Sequence, residues 1–318
     1  MEMFVPALVS VGLMLIYIIP GFISVKTKML GSEHIKGFVV ILMYYCQTCL
    51  TISSLAKAEY SWDLFWQALV FFAIATFVQI LMLVVFYFVF KKRGVEDVRF
   101  RVATTATSFG NVGFMGVPLL EAIFPGNNDV MLLFVMFMIG LNLLGWTIGS
   151  AIIAQDKKYI SIKKVVINPV TIGLVVGLPI FFFGLGSKIP KPLFDLIDLM
   201  GKMSTPISMI ILGMRLGDSN IKDIFNSPLQ YLAVALKQIL MPMIGLLLIW
   251  FIPLDLEVRQ TMFILCAAPA ASIVLSFAEL IGDGQKTAAN IVILGTLTSV
   301  ITIPILMLLM NILPNIYA

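Results

Sequence analysis

Residues 104–125 read TTATSFGNVGFMGVPLLEAIFP, a stretch apolar enough to enter a bilayer yet interrupted as a lipid-facing helix should not be. Gly110, Asn111, Gly113, Gly116 and Pro118 fall within nine residues. Backbone groups freed at membrane depth are tolerated only where protein covers them or where they line a wet cavity. Interrupted segments in corresponding places of two halves are the best sequence pointer to a transporter's binding site. A partner stretch exists at 263–282, with CAAPAAS at its centre. The pair points to a transporter built from two similar halves.

The rest of the chain agrees. Of 318 residues, 60% are hydrophobic and 12% charged, which removes the protein from the soluble class. A mean hydropathy of +1.04 spreads that character over the whole length. The net charge of +4 comes from short loops between apolar stretches, which argues against nucleic-acid binding. Met1 and Glu2 precede the first apolar stretch without a basic n-region or a small-residue cleavage site, so that stretch is expected to be a retained helix. Cys46, Cys49 and Cys266 read as small apolar fillers, and the Cys46-x-x-Cys49 spacing leaves a redox or metal pair as the other option. With His34 as the sole histidine, a histidine-based metal cluster is excluded, and no metal or cofactor is expected.

A membrane helix needs about 20 mostly apolar residues. Ten such stretches occur, at 4–25, 37–55, 64–90, 102–124, 130–154, 165–184, 193–216, 229–252, 258–281 and 287–313. Basic residues orient them. With the N-terminus outside, 15 Lys and Arg fall in inside loops against four outside (Lys57, Lys188, Lys191 and Arg259), so both termini are expected outside a multi-pass cytoplasmic-membrane protein. Five spans at 1–154, a basic inside linker at 155–164 and five spans at 165–318 force the halves into opposite orientation. Repeats so related carry their site at their interface, near the midplane. Aligning Gly126 with Gly282, an offset of 282 − 126 = 156, places Gly113 opposite Pro269.

Several strings resemble signatures of the auxin efflux carrier family. SFGNVGFMGVPLLEAIFP at 108–125 is similar to its fourth helix, CAAPAASIVLSFAELIGD at 266–283 to its ninth, and ILGTLTSVITIPILMLL at 293–309 to its last. INPVTIGLVVGLP at 167–179, STPISMIILGMRLGD at 204–218 and LKQILMPMIGLLL at 236–248 extend the likeness over nearly the whole chain. The resemblance implies an all-α membrane protein of ten transmembrane helices, arranged as two inverted five-helix repeats. Broken helices 4 and 9 cross near the membrane centre, in the sodium/bile-acid-symporter-like fold. It also implies transport of small organic anions, auxin-like carboxylates included, and a homodimer formed through a scaffold domain. Two departures stand out. Gly110 occupies the place of a proline in the plant carriers, and Tyr45 to Cys49 stand where the second helix usually carries one.

Asn111 has two roles open: to offer its amide to a substrate carboxylate, or to cap the freed backbone of its own helix. Gly110, Gly113, Ala268 and Pro269 would act through the backbone, since half-helix N-termini present N–H groups and a positive dipole end to an anion. Lys237 lies within the eighth stretch, where a charge is costly and functional by default. It either faces the cavity and attracts an anion or tethers the crossover through its carbonyls; snorkelling is the third option. Asn142 follows as a site candidate, then Ser204 and Thr205 beside Pro206.

The 17 acidic residues lie at segment ends or in loops, with Glu121 and Glu279 closest to the interior, which disfavours proton coupling through a buried carboxylate. Sodium coupling stays open. A nucleotide-binding loop is absent, as is a nucleophile–base pair, so ATP drive and enzymatic chemistry are not expected. The expected activity is secondary transport of a small organic anion by alternating access, with a passive channel or a membrane signalling module as the alternative.

Overall fold

The computed structural model describes residues 3–91, 96–156, 158 and 167–312, and it is helical throughout. Seven helices are long and apolar enough to cross a membrane: α1 (Phe4–Lys26), α2 (Ile35–Lys57), α3 (Trp62–Lys91), α6 (Asn128–Ala154), α8 (Lys191–Asp218), α9 (Pro228–Trp250) and α12 (Gln285–Ile312). The remaining expected spans are shorter. The fourth is split into α4 (Val98–Ser108) and α5 (Val112–Ile123), and the ninth into α10 (Leu256–Ala267) and α11 (Ile273–Ile281). The sixth is α7 (Pro169–Phe182), 14 residues long. Apart from Gln155, Asp156 and Lys158, the linker expected at 155–164 lies outside the described residues, as do Lys92 and Arg93.

Local chemistry sets the ends. The Asp97 carboxylate accepts from the Arg99 backbone N–H at 2.8 Å to start α4, and Asn168 accepts from Thr171 N–H to start α7, with Pro169 at its first position. Gly126 and Gly282, with φ of 76° and 84°, follow the ends of α5 and α11 in the left-handed region that favours glycine.

The molecule is inverted relative to a soluble fold. Val5, Val9, Leu13 and Ile16 on α1 and Phe77, Val84 and Phe88 on α3 point outward, while Gln47, Gln79, Asn111, Asn142, Lys237, Gln238 and Arg259 are buried. An apolar exterior around a polar interior is what a lipid solvent selects. Helices α1 and α8 cross at backbone contact, where a Cβ on Gly213 would lie 2.0 Å from the Ile18 carbonyl oxygen. With α2 and α7 they form one packed group. The second group comprises α3, α4, α6, α9, α10, α11 and α12, and it packs on the first where α12 meets α1 and α6 meets α2.

Candidate functional site at the crossed breaks

Between α4 and α5, residues 109–111 leave the helix, and between α10 and α11 the chain does so from Ala268. The two breaks satisfy each other. Asn111 N–H donates to the Pro269 carbonyl at 2.7 Å, and Ala271 N–H donates to the Phe109 carbonyl at 2.9 Å, making an antiparallel bridge of Gly110 with Ala270. This accounts for backbone groups that would otherwise be unpaired at membrane depth. The pairing corrects the offset expected from the loops. Gly113 lies in the five-residue π turn Val112–Gly116 that opens α5, beyond the break, and Gly110 is the residue at the crossing. The discrepancy arises because α5 is longer than α11, which an alignment anchored on Gly126 and Gly282 does not register.

Neighbouring groups approach Gly110 closely. A Cβ there would lie 3.1 Å from the Lys237 Nζ and 3.3 and 3.4 Å from the carbonyl oxygens of Leu265 and Ala268. Lys237 is fully buried, and its Nζ donates to the Cys266 carbonyl at 2.7 Å. That carbonyl belongs to the last turn of α10, where helix carbonyls lack intrahelical partners and the dipole is negative. Of the roles open to Lys237 from sequence, this contact is the tether. The side chain does not line the cavity described below. A π turn at Leu236–Leu240 sets both Lys237 and the adjacent Gln238 into the interior. Gln238 donates to the Gly295 carbonyl and accepts from Thr298 and Thr302, each at 3.0 Å, binding α9 to α12.

On the other side of Gly110 is a cavity of about 80 Å³. Asn111, Gly110, Gly113 and Asn142 line it, together with Gln47, Ser208 and Arg215. Asn111 and Gln47 are 3% and 2% exposed, and neither Asn111 Nδ2 nor Gln47 Nε2 has a hydrogen-bond partner among the described residues. Asn142 directs its amide to its own helix, donating to the Met138 carbonyl at 2.9 Å. Most of the remaining wall is apolar, with Leu42, Met43, Phe114 and Met138. Ala268 and Pro269 do not line it: Pro269 takes part in the bridge through its carbonyl, and Ala268 caps the end of α10 just before it.

Ser204 and Thr205 belong elsewhere. They line a separate cavity of about 230 Å³ with Ser10, Glu121 and Lys202. The two cavities follow one another along α2, α5 and α8. Near their junction Thr205 donates to the Phe114 carbonyl at 3.1 Å, and farther along α5 Ser10 donates to the Pro118 carbonyl at 3.2 Å. Position along α8 decides which cavity a residue reaches, and nearness to Pro206 does not reveal it.

The sequence reading assigned no role in the site to Gln47 or Arg215. Arg215 was counted among loop cations. Its signal is spacing, because Ser208, Ile211, Leu212 and Arg215 recur at i, i+3, i+4 and i+7 and all four line the cavity. Arg215 Nη1 pairs with Glu279 Oε1 on α11 at 2.8 Å.

No curated protein matches the chain significantly. The family model described as membrane transport protein matches residues 6–307, almost its full length. An apolar exterior and an internal cavity beside the paired breaks accord with that match, and the chain belongs to this auxin efflux carrier-like family of membrane transporters.

Proposed function

We propose that the protein is a secondary carrier for small organic anions, carboxylates above all, which bind in the cavity beside Gly110 and Asn111. The observation that carries this reading is a pair of buried amides, Asn111 and Gln47, which line one cavity and whose Nδ2 and Nε2 have no hydrogen-bond partner among the described residues. A buried donor without a partner costs about 1–3 kcal/mol, and a carboxylate oxygen would remove that cost at both positions.

In this reading ten spans form two inverted repeats, 1–154 and 165–318, in the sodium/bile-acid-symporter-like arrangement. The group bearing the crossed breaks moves against a scaffold of α1, α2, α7 and α8, through which two copies pair. The excess of basic residues in alternate loops supports both termini outside the cytoplasmic membrane. Two cavities in succession, divided near the Thr205–Phe114 bond, favour a carrier over a continuous channel. Sodium coupling stays open, and the assay below includes it.

Thermal unfolding of the purified protein with benzoate, indole-3-acetate and succinate, with and without sodium, tests the reading. Ligands that bind the folded state raise its melting temperature. The expected result is a rise with at least one carboxylate that disappears in Asn111→Ala. Stabilisation by neutral or cationic solutes alone would sink the anion reading.

A further inference from the structure

We infer that Glu279 is an internal stand-in for the substrate carboxylate. In the empty protein it occupies Arg215 at the cavity mouth, and an incoming carboxylate displaces it. The inference rests on the anion reading above and adds the residue that reads charge and the event that binding triggers.

Arg215 is the only charged residue lining the crossover cavity among the described residues. It also lines a wider vestibule of about 690 Å³, where Glu279 stands beside it. The ion pair therefore sits where the vestibule meets the cavity. The partners differ in solvent access: the Arg215 side chain is 16% exposed and the Glu279 side chain 47%. A half-exposed carboxylate released from its partner is resolvated by vestibule water. A guanidinium that is mostly covered is resolvated less completely, so an anion beside Arg215 is favoured over none. Replacement of one carboxylate by another keeps an anion there and leaves Glu279 in water.

The pair also joins the two helix groups. Arg215 belongs to α8, packed with α1, α2 and α7, and Glu279 belongs to α11, which continues from the second break. While the pair is closed it latches the crossover to the scaffold. Substrate binding opens the latch, which couples occupancy to movement and holds back the empty carrier.

The test is carboxylate affinity of the purified full-length protein, with benzoate, indole-3-acetate and succinate as probes and benzamide and indole-3-acetamide as neutral controls. Arg215→Gln should lower affinity for the bound carboxylate roughly tenfold and leave the amides unchanged. Glu279→Gln removes the internal competitor and should raise carboxylate affinity roughly threefold, the scale of a part-exposed ion pair. A purely structural pair predicts unchanged or weaker binding in Glu279→Gln, and that result overturns the inference even if Arg215→Gln does not fold. Equal losses for acid and amide in Arg215→Gln overturn it as well. If the wild type binds none of the carboxylates, the anion reading itself fails, a result distinct from wild-type binding that ignores both substitutions.

Discussion

The two breaks meet in a single bridge, yet they are built from different materials. The first, Phe109-Gly110-Asn111, places a side-chain amide on the cavity wall and runs on into a π turn. The second, Ala268-Pro269-Ala270-Ala271, has no polar side chain of its own. Neighbours hold it in place: Lys237 caps α10 at Cys266, and Gln238 ties α9 to α12 beside Gly295, whose Cβ position lies 3.5 Å from the Pro269 Cβ. The contrast teaches that symmetry of backbone geometry need not mean symmetry of role. In the proposed reading one break recognises the ligand and the other is a fixed support.

Gly110→Val breaks the arrangement on both sides at once. The added atoms crowd Lys237 Nζ and two carbonyl oxygens, and overpacking of this kind costs about 1–3 kcal/mol or more. The expected outcome is a large fall in melting temperature together with loss of carboxylate binding. Lys237→Ala separates the two roles. It leaves the Cys266 carbonyl unpaired and opens a void, so stability should drop by about 1–3 kcal/mol, read from thermal unfolding. Carboxylate affinity of the folded fraction should stay near that of the wild type.

Asn111→Ala should give the opposite pattern. Carboxylate affinity falls roughly tenfold with loss of a charge-assisted hydrogen bond, while stability is unchanged or slightly higher because an unpartnered buried donor has gone. Should Asn111→Ala destabilise the empty protein as much as Lys237→Ala does, the division between the breaks is wrong. The smallest effect belongs to Thr302→Val, which removes one of the two hydroxyl donors to Gln238 and should cost about 0.5–1.5 kcal/mol without altering binding.

How much of this was legible in the sequence depended on distance along the chain. The first break shows itself because Gly110, Asn111 and Gly113 crowd a stretch that is otherwise apolar. Its depth relative to the second break is not legible, because α5 is longer than α11 and composition does not mark that difference. That Lys237 lies at membrane depth is plain from its flanks. Its partner is not, since Cys266 is 29 residues away and the contact depends on a second π turn. Arg215 was hidden by its place near a segment end, where cations usually meet water. The face it shares with Ser208 and Leu212 is the feature that could have drawn it into the site.

The most direct test of the central claim, a carboxylate carried at the crossover through the first break, is counterflow in proteoliposomes. Vesicles loaded with unlabelled carboxylate are diluted into a trace of the labelled compound. The account predicts a transient overshoot of label inside vesicles bearing the wild-type protein, strongly reduced in Asn111→Ala and retained by the folded fraction of Lys237→Ala. Simple equilibration without overshoot in the wild type, or an overshoot that Asn111→Ala leaves intact, would contradict it.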